Sequence, residues 1–123
     1  MTTESQQHEF KVGSPAELFV KNIRGNVEIA PGADGLIKVE VITYPDDGNA
    51  SDTRIELTQE PGGRVRAEVT VPDRVFRSRR PLRVDFRIEA PPHTDIKARL
   101  VSGSVHARGF TGRADLGTVS GSV

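Results

Sequence analysis

Apolar and polar residues alternate along most of this chain. The clearest stretch runs from Leu82 to Ala90, where every second residue is apolar and the residues between are charged. Residues 36–43 and 65–71 show the same alternation. Because successive side chains of a β-strand point to opposite faces, the pattern predicts strands with one buried and one solvated face. No stretch shows the 3.6-residue period of a helix, so the sequence predicts an all-β fold.

Turn-forming residues separate the predicted strands. Pro61-Gly62-Gly63 lies between two alternating segments, which is the arrangement of an antiparallel hairpin. Residues 31–35 and 45–49 also combine Pro, Gly and Asp, which favour tight turns. Strands joined in this way are commonly antiparallel. We therefore expect antiparallel hairpins in the N-terminal and middle parts of the chain.

A short motif recurs towards the C-terminus. Val-Ser-Gly-Ser-Val occupies residues 101–105 and again 119–123, 18 residues further along, and a looser copy, Asn-Ile-Arg-Gly-Asn-Val, occupies 22–27. We call each copy a rung and identify it by its glycine and the valine two positions later: Gly25 and Val27, Gly103 and Val105, Gly121 and Val123. Short strands repeated at a fixed spacing predict a stacked β-solenoid or β-roll, in which the valines lie over one another.

The length of 123 residues fits one domain. Residues 1–8 are polar and predict a disordered N-terminal tail, and residues 9–123 predict a single β-repeat domain. The last rung coincides with Val123, so we expect a short form of the repeat or a chain truncated at its C-terminus. No signal peptide is apparent, and no apolar stretch reaches the roughly 18 residues of a transmembrane helix. The expected location is the cytoplasm, or the cell envelope if the chain is a fragment.

The charge of the chain is balanced. Lysine and arginine number 17, and aspartate and glutamate also number 17, so the formal net charge is zero. Such a chain is not built to coat nucleic acid, and we expect no nucleic-acid partner. There is no cysteine, which excludes disulfides, thiolate nucleophiles and cysteine-bound metals. The sequence contains no phosphate-binding loop or dinucleotide fingerprint, and no cofactor is expected.

One charged cluster is a candidate ligand site. Guanidinium groups bind phosphates and carboxylates, so a dense group of arginines could bind an acidic polymer, a glycan or an anionic surface. Asp73, Asp85 and Glu89 lie among them and favour the simpler interpretation, a solvated loop and strand face whose charges are balanced. The six arginines fall within 14 residues: Arg74, Arg77, Arg79, Arg80, Arg83 and Arg87.

Other polar groups favour structural roles. The acidic turn over residues 46–52 lacks the spacing of a calcium-binding loop, and its Asn-Ala-Ser sequon stands in a chain without a secretory signal. The histidines lack a second ligand at metal-binding spacing. A catalytic serine needs a neighbouring base and would not be duplicated at a structural period, so the rung serines are expected to form a hydrogen-bonded ladder. The residues concerned are His8, His93, His106, Ser102, Ser104, Ser120 and Ser122.

Several segments resemble a known family. They are residues 18–29 (LFVKNIRGNVEI), residues 35–39 (GLIKV), residues 92–98 (PHTDIKA) and the two C-terminal rungs. The chain is similar in these segments to the bacterial "putative adhesin" family, a β-strand repeat-containing domain of unknown function. The resemblance implies stacked β-strand repeats with Ser-Gly rungs towards the C-terminus. It implies no catalytic residues, because the family has none in common.

These features predict a non-catalytic β-repeat domain for interaction or scaffolding. A stack of strands has an open end, and unpaired edges favour docking of another chain. We expect a homo-oligomer, or a protein partner, that covers Val119 and Val123 at the last rung. The alternative is binding of an acidic ligand through the arginine cluster. A sugar-processing enzyme would need carboxylates on adjacent rungs, where only Asp115 occurs.

Overall fold

The computed structural model describes residues 4–13, 16–44, 54–60, 63–70 and 82–120. These residues form ten β-strands and no helix, which confirms the predicted all-β class. In chain order the strands are β1 (Glu4–Lys11), β2 (Glu17–Arg24), β3 (Val27–Pro31), β4 (Leu36–Tyr44), β5 (Arg54–Glu60), β6 (Arg64–Thr70), β7 (Arg83–Ala90), β8 (Asp95–Ser102), β9 (Val105–Ala107) and β10 (Ala114–Ser120).

The strands form two mixed sheets. Sheet A has the order β1-β4-β7-β3-β9, and sheet B has the order β10-β8-β2-β6-β5. The pairs β1–β4, β4–β7 and β5–β6 are antiparallel, and the pairing of β5 with β6 confirms the hairpin predicted between them. The remaining neighbours, including β2 with β8 and β3 with β9, are parallel. Two mixed sheets do not by themselves make a stacked solenoid or roll, which stays a prediction.

One apolar core lies between the two sheets. Sheet A contributes Val39, Phe86 and Val105, among others, and sheet B contributes Leu18 and Ala98, each at most 1% exposed. The buried residues recur at every second position of the strands, so the alternation in the sequence identifies the core faces correctly. Full burial of a large aliphatic or aromatic side chain contributes about 1.5–3 kcal/mol, which makes this core the main source of stability.

The first strand begins earlier than the sequence predicts. Residues 4–8, expected in the disordered tail, form the first part of β1 and pair with β4 from Glu4 opposite Thr43 onward. Their side chains are polar and mostly exposed, so the hydrophobic pattern gives no sign of a strand. Strand pairing uses backbone N–H and C=O groups, which are present whatever the side chain.

The two rungs within the described residues lie side by side. Gly25 separates β2 from β3, and Gly103 separates β8 from β9. The N–H of Gly25 donates to the carbonyl of Ser102 at 3.1 Å, and the N–H of Val27 donates to the carbonyl of Ser104 at 2.8 Å. The φ angles of the two glycines are +131° and +138°. We call the two chain bends at Gly25 and Gly103 corners. A side chain on either glycine would overlap a backbone carbonyl of the adjacent strand pair, so both corners require glycine.

The rung valines also coincide. Val27 and Val105 are fully buried and lie opposite each other in the parallel register of β3 and β9. On its other side, Val27 is paired with Phe86 of β7. The structure thus brings together the rung residues of the first two copies. Gly121 and Val123, the third copy, lie outside the described residues.

Val105→Asp is expected to lower the free energy of unfolding by several kcal/mol, because it places a carboxylate where Val105 is fully buried. Thermal unfolding followed by circular dichroism measures the loss. Ala33→Asp, at an exposed position between β3 and β4, is the matched control and should change stability by less than about 0.5 kcal/mol. An unchanged melting temperature for Val105→Asp would mean that residue 105 does not face the core.

Gly103→Ala tests the contact between the two corners. It adds a Cβ that overlaps the carbonyl of Gly25, at a φ of +138°. We expect a loss of about 3 kcal/mol or more, because strain and overpacking act together. Gly35→Ala is the control: its φ is +77° but the nearest atom to the new Cβ is 3.7 Å away, so only the backbone cost of about 1–2 kcal/mol applies. Equal losses in chemical denaturation would contradict the close contact.

Candidate functional site

Each sheet has two edge strands within the described residues: β1 and β9 in sheet A, β5 and β10 in sheet B. Edge strands present unpaired N–H and C=O groups to other chains, and proteins commonly protect them with charged side chains or keep them short. β9 is only three residues long. Two of the other edge strands, β1 and β5, contain three charged residues each. These are Glu4, Glu9 and Lys11 in β1, and Arg54, Glu56 and Glu60 in β5. β10 has seven residues with one charge, Asp115, and is the least protected of these edges.

The backbone of β10 turns every second peptide group towards solvent. Ile96 of β8 donates its N–H to the carbonyl of Arg113 at 2.7 Å, and this bond fixes the phase of the parallel ladder. With this phase, the β10 residue directly opposite Ile96 turns its own N–H and C=O groups away from β8. Every second residue of β10 after it does the same. The register puts four residues in this position: Ala114, Leu116, Thr118 and Ser120. No strand within the described ranges pairs with this row, which lies along the outer edge of sheet B.

The side chains of β10 are partly uncovered. Val119 is 82% exposed, the one large hydrophobic residue so exposed in the part of the chain that the structure describes. It adjoins a hollow of about 370 Å³ that is lined in part by Val101. Leu116 and Thr118 are half-buried, and Thr118 donates its hydroxyl to the carbonyl of Gly103 at 3.1 Å. That bond ties the edge strand to the second rung.

The single charge of β10 is neutralised within the sheet. Arg99 of β8 binds the carboxylate of Asp115 at 2.7 Å and its backbone carbonyl at 3.0 Å. The hydrogen bond from Arg99 lowers the pKa of Asp115, so the pair persists to a lower pH than a free carboxylate would allow. Both side chains are exposed, which keeps their contribution to stability small. The pair leaves the edge without net charge.

Backbone groups of Ser102 and Ser104 make hydrogen bonds to the neighbouring rung. The carbonyls of Ser102 and Ser104 accept hydrogen bonds from the neighbouring rung, and the N–H of Ser104 donates to Oδ1 of Asn26 at 3.1 Å. These bonds hold the two corners together. A ladder of serine hydroxyls stays a prediction, since the side chain of Ser120 and the whole of Ser122 lie outside the described residues.

The arginine cluster falls only partly within the described residues. Arg83 lies over the ring of Tyr44, with its guanidinium carbon 4.4 Å from the ring centre, and is 3.3 Å from the carboxylate of Asp85. Arg87 faces Glu28 across the sheet at 4.0 Å. Both of these arginines therefore have acidic neighbours. The other four lie outside the described residues: Arg74, Arg77, Arg79 and Arg80.

A groove of about 820 Å³ lies on the outer face of sheet A. Two rows of paired residues cross it, one with Gln7, Glu40, Arg87, Glu28 and His106, the other with Glu9, Lys38 and Glu89. Acidic and basic side chains alternate along both rows, and opposite charges on neighbouring strands stabilise a sheet by about 0.2–1 kcal/mol per pair. The groove is lined by four acidic side chains and three basic ones, Lys38, Arg87 and Arg108, so it lacks the positive excess that favours an acidic ligand.

The sequence pattern did not indicate a polar network that lies beside the corners at Gly25 and Gly103. Tyr44 donates its hydroxyl to Asp85 at 2.8 Å, and the second carboxylate oxygen of Asp85 accepts the N–H of Asn26 at 2.9 Å. The hydrogen bond to Asp85, and to a lesser extent burial, raises the pKa of Tyr44 above its ordinary value. Because Asn26 also binds Ser104, the network connects β4 and β7 to both rungs.

Asn22 is a second polar residue that the hydrophobic pattern did not reveal. It is fully buried, its Nδ2 donates to the carbonyl of Val84 at 2.8 Å, and its Oδ1 accepts the N–H of Ile23 at 2.9 Å. A buried amide is tolerated only when it is hydrogen-bonded. A signal was available, because the looser rung has asparagine where its copy has Leu100. A polar residue at a core position of a repeat indicates a backbone group that needs a partner.

The histidines do not converge. His8 and His106 lie on edge strands at opposite sides of sheet A, and His93 lies in the turn after β7. The described residues contain no cluster of three or more groups that could hold a metal ion. The acidic turn over residues 46–52 lies outside them. In the described ranges there is also no helix long and apolar enough to cross a membrane.

No protein-family model and no curated protein matches the chain. A solved structure with a similar fold is that of a putative cell adhesion protein from Clostridium sporogenes, which is 13% identical with a TM-score of 0.60, over 98% of this chain and 59% of that one. Putative adhesins from Parabacteroides distasonis and Bacteroides fragilis are 10% and 11% identical, both with a TM-score of 0.43. Each match covers 97% of this chain, and 55% and 60% of those chains.

The likeness to the Clostridium sporogenes protein shows a shared fold alone, because only 13% of the residues are identical. This chain spans less than two thirds of the length of each of the three proteins. The name of the Clostridium sporogenes protein agrees with the family that the sequence resembles.

Asp85→Asn is expected to lower the pKa of Tyr44 towards its ordinary value of 10.0, because it removes the charged acceptor of the hydroxyl. The chain has one tyrosine and no tryptophan, so ultraviolet absorbance follows Tyr44 alone. The raised pKa favours the folded state below pH 10, and this contribution is lost as the pH rises through the folded-state pKa. Glu56→Gln, on β5, is the control. Identical titrations of Asp85→Asn and the wild type would contradict the hydrogen bond.

Proposed function

We propose that this protein is a non-catalytic β-domain that binds another protein chain along the free edge of β10. The observation that carries the proposal is the row of outward backbone groups at Ala114, Leu116 and Thr118, on an edge without net charge. A partner strand against this row would make hydrogen bonds like those that β8 makes on the other side. In strand addition, main-chain bonds supply affinity and alternate side chains supply specificity.

Val119 gives this edge an apolar contact. Its side chain is exposed beside the hollow that Val101 lines, so a partner residue could cover both. Full burial of a valine contributes up to about 1.5–3 kcal/mol, comparable to a few net hydrogen bonds. The sequence predicted docking at the last rung, and we extend the proposed docking surface to the whole of β10.

The lack of catalysis is part of the proposal. It is supported by the contacts of two carboxylates: Asp85 lies beside Arg83, and Asp115 binds Arg99. Carboxylates held in this way support an ion-pair role, whereas a general acid or base is matched in pKa to its task. A typical glycosidase would instead place two carboxylates on either side of one cleft.

We also infer that the parallel strands are turns of a short β-solenoid of the adhesin-like family. Two features support this inference. β2 pairs with β8 and β3 with β9 in parallel register, with a glycine at each corner. The fold neighbours carry the name of the family that the sequence resembles. Val27 opposite Val105 is the stacking that the repeat predicts for a solenoid.

Binding of an acidic polymer through the arginine cluster has less support. Arg83 and Arg87 both face carboxylates, those of Asp85 and Glu28, and acidic side chains outnumber basic ones in the groove beside Arg87. An anionic ligand would have to displace these intramolecular partners. Strand docking at β10 needs no such displacement.

Thr118→Pro tests strand docking. The N–H of Thr118 points away from β8, so proline removes an outward donor and leaves the β8 ladder intact. Light scattering at tens of micromolar, roughly the range in which weak interfaces populate, should show association of the wild type and its loss in Thr118→Pro. Thr118→Ala is the matched control, because it removes the same hydroxyl bond to Gly103 but keeps the N–H.

Melting temperatures verify that both variants are folded before association is compared. Thr118→Ala should associate as the wild type does. A wild type that stays monomeric in this concentration range would exclude a second copy as the chain that docks. Equal association of Thr118→Pro and Thr118→Ala would contradict the proposal, because the outward N–H would then have no part in the contact.

A further inference from the structure

We infer that the chain docking on β10 is a second copy of this protein, with the two β10 strands antiparallel about a two-fold axis at Gly117. The inference rests on the proposed docking role of β10 and adds the partner and the register. A two-fold contact joins the same surface of both copies and closes as a dimer. Sheet B would continue from one copy into the other without a free edge at β10.

The outward residues of β10 are arranged symmetrically about Gly117. Leu116 and Thr118 lie one position to either side of it, and Ala114 and Ser120 lie three positions to either side. In an antiparallel ladder, two residues that exchange both hydrogen bonds face each other directly. With the axis at Gly117, Leu116 faces Thr118 of the second copy, and Ala114 faces Ser120. Every outward N–H and C=O group of β10 then has a partner.

Gly117 suits the centre of this pairing. Its own N–H and C=O groups face β8, so across the axis it forms a non-hydrogen-bonded pair, in which the Cα atoms approach to about 4.5 Å. A glycine leaves this approach free of side-chain contact. The side chain of Arg99 lies over Gly117, with atoms 3.6 Å from the position that a Cβ would take. Each Arg99 stays bound to Asp115 of its own copy.

The side chains of the outer face are compatible with this register. Asp115 and Val119 each lie two positions from Gly117, so Asp115 of one copy faces Val119 of the other. Because Arg99 neutralises Asp115, the valine does not meet an unpaired charge. No two like charges oppose each other, an arrangement that would weaken the pairing. The exposed side of Val119 becomes covered.

The side chains of the core face are compatible as well. Leu116 and Thr118 are both half-buried, and Leu116 packs against the core of its own copy. Across the axis each leucine faces a threonine methyl group, which extends the apolar contact from one core towards the other. Aliphatic and β-branched neighbours of this kind are favourable cross-strand pairs.

The other described edges fit a second copy less well. β1 and β5 carry three charged residues each, and β9 has three residues in all. A strand of the second copy other than β10 would also make a heterologous contact, which repeats into an open chain unless the rotation closes a ring. Two-fold pairing of β10 with β10 of the second copy covers this edge in both copies through a single contact.

Disulfide cross-linking tests the register. The chain has no cysteine, so a single introduced cysteine can bridge only two copies. Gly117→Cys puts both cysteines on the axis, at a Cα separation of about 4.5 Å, which lies within the range of disulfides. A Cβ fits at this position because its nearest neighbours are 3.6 Å away. We expect a covalent dimer on a non-reducing gel after mild oxidation.

Val119→Cys and Asp115→Cys are the matched controls. Two copies of residue 119 lie four positions apart along the pair, roughly 13 Å, and should not cross-link. The same holds for residue 115. A mixture of Asp115→Cys with Val119→Cys should give a covalent heterodimer, because these two positions face each other across the axis.

Charge substitution gives a second readout without oxidation. Val119→Asp puts a carboxylate opposite Asp115 at two places in the dimer and should weaken association about tenfold in analytical ultracentrifugation. Val119→Lys puts an ammonium group there and should associate about as tightly as the wild type. Equal weakening of association by Val119→Asp and Val119→Lys would mean that any charge at the edge blocks docking, and it would contradict the register.

The outcomes separate this inference from the proposed function. A wild-type dimer that is lost in Thr118→Pro but gives no Gly117→Cys cross-link would overturn the two-fold register and leave the docking role of β10 in place. Cross-linking of Val119→Cys to the same extent as Gly117→Cys would overturn the register in the same way. A wild type that remains monomeric would overturn the second copy as the partner.

Discussion

The rest of this structure depends on how closely two peptide backbones approach at Gly25 and Gly103. Gly103 lies against the carbonyl of Gly25, and Gly25 lies against the carbonyl of Val84, so three layers of backbone meet at one corner. A side chain at either glycine would force the layers apart. The strands before this corner belong to sheet B and those after it to sheet A, so one contact fixes the register of both sheets.

Much of the fold could be predicted from the sequence because burial follows a period of two. Val39 and Phe86 are core residues, and their polar neighbours already indicate it. The order of the strands could not be predicted, because alternation reports which face is buried and nothing about which strand is adjacent. The strand over residues 4–8 was missed for a related reason, since backbone pairing leaves no trace in polar side chains.

The candidate site was predictable in position but not in chemistry. The repeat pointed to Val119, whereas the docking that we propose for β10 rests on the phase of its ladder with β8 and on the Arg99–Asp115 pair. These depend on residues that meet only when the chain is folded. The hydrogen bond between Tyr44 and Asp85 likewise joins residues 41 positions apart, and no local pattern announces it.

The central position of β2 in sheet B has a consequence for synthesis. Leu18 pairs with Val65 on one side and Ile96 on the other, residues that follow it by 47 and 78 positions. At ribosomal rates of about 5–20 residues per second, β2 waits about 4–16 s for its last neighbour to be made. Pairings of such long range also slow folding itself. During this interval the apolar face of β2 is exposed to wrong partners in the nascent chain, and the same holds for β3, whose Val27 pairs with Val105 across 78 positions as well.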